Sequence, residues 1–283
     1  MKKTTFSGMT ASLALAVAAG SAMADTARMD VLEAQRAKLA ENTANQGFGP
    51  QSPRDLEQRE GVNLRKFAKA PPHTEMNLCN IHFHKNAEHR GGEYTTFAGP
   101  GNGKGYNTGY RYSGKLSKAQ LQPVSGEICP SEYGSLQPGD TIESHYVFTS
   151  ALVTPGPTLG ACLSESTMNP QLRVEGQVFV LANDDSAMDF RELSAFAEVN
   201  GYHQPLNLPQ NTGKPIEYLG STTGPGYNEK GSPLQVSWSM RPKVAIVDIE
   251  TVGQWCQDNA FDEKAAHGVR NLVVSPDLLS PMD

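Results

Sequence analysis

Two histidines separated by one residue lie in a short stretch that favours β-structure. The segment 80–89 reads NIHFHKNAEH and supplies three of the seven histidines in the sequence. Because side chains alternate along a strand, His82 and His84 point to one face and Phe83 points to the other. Two imidazoles on one rigid strand favour a metal site, because neutral histidine is the commonest metal ligand in proteins. The pattern predicts a strand that carries two ligands, and a third ligand on a neighbouring strand.

The N-terminus has the three parts of a secretory signal peptide. Lys2 and Lys3 precede the short apolar run 9–19, and the small residues at 22–24 form an A-x-A pattern that predicts cleavage after Ala24. The run is too short to span a bilayer, and no later stretch approaches the ~20 apolar residues that a membrane helix needs. We expect an exported protein without membrane insertion, secreted or, in a Gram-negative bacterium, periplasmic.

The cysteines fit an oxidising compartment. They are Cys79, Cys129, Cys162 and Cys256. Their even number favours two disulfides, for which three pairings are possible. None belongs to a CxxC pair, which argues against a structural zinc cluster. Alternation along the strand predicts that Cys79 faces away from the two histidines, and we interpret it as a disulfide cysteine.

Composition favours a single β-rich domain and argues against polyanionic partners. The chain has 24 Lys+Arg against 30 Asp+Glu and no basic stripe, so binding to nucleic acid or an anionic membrane lacks electrostatic support. Its 27 glycines, 19 prolines and short apolar segments indicate strands joined by long loops. We predict one domain over 25–283 with a helical N-terminal extension over 25–46. The predicted strands are 77–84, 141–150, 172–182, 234–240 and 243–249, and a further helix is predicted over 252–258.

The third metal ligand is expected on the strand predicted over 141–150. His145 lies in it, with Glu143 two residues earlier on the same face. A carboxylate there can accept the second ring N–H of a ligating histidine and fix its orientation, and Asn80 can do the same for His82. Three histidines with an open fourth position are the catalytic arrangement of zinc, whereas structural zinc sites are closed by four protein ligands.

Four blocks, in chain order, resemble segments of the carbonic anhydrases. The stretch 82–89, HFHKNAEH, is similar to the zinc-strand signature HFHxPSEH of the bacterial α class, and the ESH at 143–145 resembles its third-ligand strand. The QSP at 51–53 resembles the N-terminal QSP of that class. The YLGSTTGP at 218–225, with the VSW at 236–238, resembles its GSLTTPP segment and the strand after it. The amino-acid sequence around the histidine pair is closer still to the δ class and its bacterial relatives, as are the predicted export of the chain and the insertions between its matching blocks.

The resemblance implies a fold and an activity. The fold is mainly β (α+β), a single domain around a large twisted, mostly antiparallel sheet with long loops and few short helices. The activity is the reversible hydration of carbon dioxide to bicarbonate and a proton, with Zn²⁺ on His82, His84 and His145. Zinc on three neutral imidazoles lowers the pKa of its bound water to ~7, which gives hydroxide at neutral pH.

Further roles follow from the resemblance alone. Glu88 matches the buried glutamate that accepts the proton of a gatekeeper threonine. That threonine is Thr223 when the segments are aligned on Pro225, and Thr222 if the loop is one residue shorter. His89 matches a histidine that supports the structure. The wall that receives carbon dioxide matches Val147, Thr222, Val236 and Trp238.

Two alternative hypotheses use the same histidines. One is a cupin-type enzyme that binds iron or manganese through His82, His84, Glu88 and His145. It leaves the GSTTGP stretch at 220–225 unexplained. The other is a non-catalytic, exported zinc-binding protein that resembles carbonic anhydrase. The proton-shuttle histidine of the α class has no recognisable match, and His73 and His203 are candidates for which a surface histidine is the simpler interpretation.

Overall fold

The computed structural model of the protein describes residues 31–282, so the predicted signal peptide lies outside the described residues. The strands, in chain order, are β1 (Asn77–Lys85), β2 (Thr96–Phe97), β3 (Tyr110–Arg111), β4 (Ile128–Ser131), β5 (Gly134–Leu136), β6 (Thr141–Thr149), β7 (Leu172–Ala182), β8 (Phe196–Val199), β9 (Tyr202–Pro205), β10 (Ile216–Ser221), β11 (Gln235–Met240) and β12 (Ala245–Asp248). The helices are α1 over 31–43, α2 (Phe190–Ser194) and α3 (Ile249–Gln257), with single 3-10 turns at His73–Glu75, Leu159–Cys162, Pro225–Tyr227 and Pro276–Leu278.

A six-stranded sheet forms the centre of the fold. Its strand order is β1-β6-β7-β11-β10, and β12 also pairs with β7. The β1–β6, β6–β7 and β10–β11 pairs are antiparallel, whereas β11 and β12 run parallel to β7 along different parts of its length. Every residue of β7 is buried, as expected for a central strand covered on both faces. The predicted mainly β fold with one large sheet is confirmed, and the sheet is mixed.

Most predicted elements are present with small changes at their ends. Strand β7 has the predicted limits, β1 extends one residue further, and β6 ends one residue earlier. Helix α3 begins three residues before its predicted start, because the Asp248 side chain caps it by accepting the backbone N–H of Glu250. Helix α1 occupies 31–43, within the predicted N-terminal extension.

Two hydrophobic cores lie on opposite faces of the sheet. On one face Phe83 of β1 and Tyr146 of β6 pack with Trp255 of α3. On the other face Val147 packs with Trp238 of β11. Each large apolar side chain buried in this way contributes about 2 kcal/mol. The two cores fix the twist and position of β1 and β6, the strands that carry the predicted metal ligands.

Two disulfides link distant parts of the chain. Cys79 pairs with Cys162 and Cys129 pairs with Cys256, across 83 and 127 residues respectively. The prediction of two disulfides is confirmed. In the chain-entropy model, closing loops of this length stabilises the fold by about 4–5 kcal/mol each.

The predicted orientation of Cys79 is wrong. The β1–β6 register shifts between Leu78 and Asn80, so Cys79 is the extra residue of a β-bulge. Cys79 therefore packs with Val147 and Trp238, on the face that carries the histidine pair, while Leu78 packs in the opposite core. Strict alternation fails at a bulge, and the sequence pattern gave no sign of it.

None of the helices among residues 31–282 has the length and apolar character required to cross a membrane.

Candidate metal centre

Strand register brings three histidines together. His82 on β1 lies directly opposite His145 on β6, and His84 lies two residues further along the same face of β1. The ring centroids of the three side chains lie 4.8–5.2 Å apart. His82 Nε2 is 3.2 Å from His145 Nδ1, close to the ~3.3 Å that two Zn–N bonds at a tetrahedral angle require. The three rings therefore fit one metal ion.

In each of the three rings, the nitrogen that faces away from the predicted metal position lies within hydrogen-bonding distance of an oxygen atom. His82 Nδ1 lies 2.7 Å from Asn80 Oδ1, His84 Nδ1 lies 3.0 Å from the carbonyl of Gly268, and His145 Nε2 lies 2.6 Å from Glu143 Oε1. These acceptors select the tautomers in which Nε2 of His82, Nε2 of His84 and Nδ1 of His145 are unprotonated. The donor set offered to a metal is three neutral imidazole nitrogens.

Burial keeps these histidines neutral. It lowers the pKa of His82 well below the usual value, an effect that the neighbouring His145 and His84 reinforce. Burial also lowers the pKa of His84, to about 4. The pKa of His145 is lowered for the same reason, although Glu143 opposes the shift. Neutral rings at pH 7 present lone pairs that a metal can bind without displacing protons.

Glu143 links the metal centre to a buried chain of hydrogen bonds. Its Oε1 accepts hydrogen bonds from His145 and from Nδ1 of His89, the latter at 2.8 Å. His89 Nε2 lies 2.6 Å from the hydroxyl of Tyr218, which donates to Ser52. Burial alone would raise the pKa of Glu143, but His89 and His145 lower it overall, so this group is a carboxylate. Both ring nitrogens of His89 are engaged in this chain.

Glu88 lies beside the metal centre, next to the outward-facing nitrogen of His84. Its Oε1 is 3.7 Å from His84 Nδ1 and accepts the backbone N–H of Arg270. Burial raises the pKa of Glu88. Because His84 Nδ1 is the nitrogen that faces Gly268, Glu88 lies away from the point where the three inward nitrogens meet.

A cavity of about 200 Å³ opens onto the three histidines. Glu88, Thr222 and Thr223 also line it. The hydroxyl of Thr223 is buried and has no hydrogen-bond partner, which is costly unless a ligand completes it. The backbone carbonyl of Thr222 accepts a hydrogen bond from Ser232. The unpaired hydroxyl and the three nitrogens share one cavity, so the residues present fit a metal with a small polar ligand.

Of the predicted apolar wall, Trp238 packs against a predicted ligand, but among the described residues the lining of the histidine cavity includes none of Val147, Val236 and Trp238. Val147, Val236 and Trp238 pack in one hydrophobic core, and the Trp238 ring lies 5.0 Å from that of His145. The indole N–H of Trp238 donates to the carbonyl of Ser221. The role of these three side chains in receiving carbon dioxide stays a prediction.

A family model described as Delta carbonic anhydrase matches residues 73–251, more than half of the chain. The chain belongs to the δ carbonic anhydrase family. The resemblance noted in the sequence is confirmed, and the protein is a carbonic anhydrase by family. The matched region holds β1 and β6 with all three histidines.

Solved structures of α-carbonic anhydrases also match this δ carbonic anhydrase. The enzyme from Photobacterium profundum is 16% identical, with 81% of this chain and 88% of that chain covered and a TM-score of 0.26. The enzyme from Thermovibrio ammonificans, in complex with the inhibitor sulfanilamide, is 14% identical, with 79% and 84% covered and a TM-score of 0.24. The comparison with curated proteins found no match.

The cupin hypothesis is not supported for this δ carbonic anhydrase. That hypothesis requires Glu88 to join the three histidines as a ligand. Among the described residues, one group of potential ligand atoms comprises His82, His84 and His145, and another comprises Glu88, Glu143 and His145. Glu88 therefore does not complete a four-ligand set with the histidine pair, and the family match is to carbonic anhydrases.

Sequence reasoning missed a fourth histidine in the δ carbonic anhydrase cavity. The His267 ring lies 5.5 Å from that of His82 and 5.8 Å from that of His84, and its side chain is 48% exposed. Its Nε2 lies 2.6 Å from Glu263 Oε2, and this hydrogen bond raises the pKa of His267. His267 is in a C-terminal segment without strand periodicity, so nothing in the sequence connected it to the metal ligands.

The two histidines considered for proton transfer lie elsewhere. His73 packs against Phe148, with its Nδ1 3.5 Å from a carboxylate oxygen of Glu175. His203 is on β9 and packs against Phe196. Within residues 31–282 neither lines the cavity that the three histidines share.

Proposed function

We propose that this protein is an exported zinc enzyme that hydrates carbon dioxide reversibly to bicarbonate and a proton. The observation that carries the proposal is the convergence of three neutral ring nitrogens, from His82, His84 and His145, on a cavity lined by an unpaired threonine hydroxyl. Zinc on three such nitrogens supplies a water-derived nucleophile at neutral pH. Membership of the δ carbonic anhydrase family supports the choice of reaction.

The residues around the metal centre orient the ligands and the substrates. Asn80 and Glu143 hold the rings of His82 and His145 at their outer nitrogens, which fixes the inner nitrogens in place. His89 supports Glu143 from the core. Because a ligand that can rotate weakens metal binding, these supports matter for affinity as well as for geometry.

Thr223 and Glu88 orient the nucleophile in this proposal. The Thr223 hydroxyl accepts a hydrogen bond from the nucleophile and donates its own proton towards Glu88, which directs the reactive lone pair at carbon dioxide. Two observations support this role: both residues line the cavity, and the buried Thr223 hydroxyl has no hydrogen-bond partner in the structure, so it is available to such an interaction. Thr222, which lines the cavity, and the apolar core side chains of Val147, Val236 and Trp238 form the region that receives carbon dioxide in this proposal.

The two disulfides support export, because such bonds persist in oxidising compartments. The signal peptide, its cleavage after Ala24 and a periplasmic location in a Gram-negative host belong to the same proposal, as does a single catalytic domain over 25–283.

Stopped-flow hydration of carbon dioxide by the zinc-loaded mature protein tests the function. We expect activity that depends on zinc and is lost in His145→Ala, whereas His203→Ala on the distant β9 strand keeps it. Metal analysis should give one zinc per chain in the wild type and much less in His145→Ala. A wild type no more active than His145→Ala contradicts the proposal and favours the non-catalytic zinc-binding alternative.

A further inference from the structure

A second, smaller cavity of about 20 Å³ lies between helix α1 and the segment after β1 that carries Glu88. Glu88 is the one residue shared with the histidine cavity. Arg36 of α1, Arg54 and Arg270 also line the small cavity. This volume is somewhat larger than the roughly 10–15 Å³ of one water-sized sphere, which leaves room for one small ligand.

Unpaired nitrogens are concentrated around this cavity. Among the described residues, eight buried side-chain polar atoms have no hydrogen-bond partner. Half of them belong to residues that line this cavity: Arg36 Nε, Arg54 Nε, Arg270 Nε and Asn271 Nδ2. All four atoms are N–H donors, and each costs free energy while it is buried without an acceptor.

The charge around the cavity is positive. Three guanidinium groups face one carboxylate, that of Glu88. Asp55, the acid next to Arg54 in the chain, is paired with Arg90 at 2.7 Å. Burial lowers the pKa of Arg54, and the nearby charge of Arg36 lowers it further, whereas Tyr110 and Asp55 oppose the shift. Like charges held this close in a partly desolvated space are destabilising, and the single carboxylate of Glu88 offsets only part of the positive charge.

Arg270 is the most deeply buried of the three arginines, with 2% of its surface exposed. Its two terminal nitrogens donate to Ser221 Oγ at 2.8 Å and to Gln51 Oε1 at 3.0 Å, both neutral acceptors. Its Nε has no partner, and burial lowers the pKa of the group to about 10. The side chain is therefore held in place while its charge lacks a direct anionic contact.

We propose that this cavity is a binding site for a halide ion, with chloride as the physiological ligand. A halide accepts several N–H donors at once and offsets the excess positive charge, which a water molecule does not. A monatomic halide needs less space than bicarbonate, which has four heavy atoms, and so suits the small cavity better. The ion would bridge α1, through Arg36, to the segment that holds Glu88, and would thereby fasten the N-terminal helix to the catalytic domain.

A crystal of the zinc-loaded mature protein soaked in bromide tests the site directly. We expect an anomalous difference peak within hydrogen-bonding distance of Arg36, Arg54 and Arg270, separate from any peak at the three histidines. Density for water only at this position, in crystals where bromide is visible elsewhere on the protein, overturns the proposal.

Thermal unfolding in solution gives a second test. At constant ionic strength, replacing gluconate with chloride should raise the Tm saturably, by about 3 °C when chloride is tenfold above its Kd. Arg36→Gln should abolish the chloride-dependent rise. Arg59→Gln is the matched control, because Arg59 also has a buried, unpaired Nε but lies outside the cavity. An equal chloride response in Arg36→Gln and the wild type contradicts the site.

A further variant separates this proposal from the proposed catalytic function. Anions also bind metal centres, so the chloride response is measured in His145→Ala as well. If the halide lies in the arginine-lined cavity, His145→Ala keeps the response. A chloride response that is lost in His145→Ala but kept in Arg36→Gln assigns the ion to the histidine site. That result overturns the inference and leaves the catalytic proposal intact.

Discussion

His82 and His145 face each other across two antiparallel strands, with 3.2 Å between His82 Nε2 and His145 Nδ1. They occupy paired positions in the β1–β6 register, so the backbone of the sheet sets their spacing. A strand scaffold of this kind is more rigid than a loop, and preorganised ligands bind metal with less loss of conformational entropy. The geometry of the metal centre is thus a property of the sheet itself.

Glu143→Gln should weaken zinc binding by 10–100-fold, the usual cost of removing a group that orients a ligand. The amide keeps the size of the side chain but removes the charge that stabilises the N–H of His145 and of His89. Competition with a chromophoric zinc chelator measures the change. Glu217→Gln is the control, because Glu217 is half exposed, pairs with Lys69 and does not line the histidine cavity. Equal zinc affinities in the two variants would contradict this role for Glu143.

Thr223→Val should lower kcat/KM by about 100-fold with zinc content unchanged, as expected when one group that stabilises a transition state is lost. Valine matches the shape of threonine and removes only the unpaired hydroxyl. Thr222→Val is the matched variant in the same cavity and should change kcat/KM only a few-fold. The reverse ranking of the two variants would make Thr222 the gatekeeper.

The metal-stripped protein should lose stability as the pH falls from about 6.5 to 4. Burial lowers the pKa of His84 to about 4 in the folded state, whereas an unfolded histidine titrates near 6.5. Between these values the unfolded state binds more protons, so the free energy of unfolding decreases as the pH decreases. His84 alone accounts for about 3 kcal/mol over this window. Urea denaturation of metal-stripped wild type and His84→Asn at several pH values measures it, and parallel pH profiles would contradict the assignment.

His267→Ala should lower kcat while leaving kcat/KM nearly unchanged. His267 is half exposed and lies 5.5 Å from the His82 ring, so it can pass a proton between the cavity and solvent. Stopped-flow assays with and without added imidazole measure the effect, because free imidazole should restore kcat. His73→Ala is the control, since His73 lies outside the cavity. A loss of kcat that imidazole leaves unchanged would indicate a structural role.

Removing the Cys79–Cys162 disulfide should lower the free energy of unfolding by 2–5 kcal/mol. The bond joins the bulge of β1 to the 3-10 turn Leu159–Cys162, and Leu159 lines the histidine cavity. Chemical denaturation of the Cys79→Ser, Cys162→Ser double variant measures the loss. We expect a loss of similar size in the Cys129→Ser, Cys256→Ser variant, whose disulfide lies in the opposite core, but a change in zinc affinity only in the first.

The sequence predicted the elements whose side chains repeat regularly. β1 and β6 were predicted with ends within one residue, and β7, which reads LRVEGQVFVLA with the apolar run 178–182 at its end, was predicted with its correct limits. The convergence of His82, His84 and His145 followed from two short patterns on strands that pair in the sheet. Strand β10 was recognised only as a motif, because Gly220 and Ser221 weaken its strand pattern.

Contacts between distant segments were not predictable. The carbonyl of Gly268 holds His84 across 184 residues, and the backbone N–H of Arg270 reaches Glu88 across 182. Backbone groups carry no residue-specific signal, and 267–272 has neither helical nor strand periodicity. The face of Cys79 was wrong for a related reason, because a bulge changes the register without a change in composition.

The contribution of Gly268 and Arg270 has a consequence for biogenesis. Synthesis proceeds from the N-terminus, and Gly268 and Arg270 follow their partners by 184 and 182 residues, so they are made long after β1. Until they pack against β1, His84 lacks its carbonyl partner and Glu88 lacks its amide donor. We therefore expect the three histidines to reach their full metal affinity only after residues 268–270 have packed, so that metal loading follows the folding of this late segment rather than the formation of β1 alone.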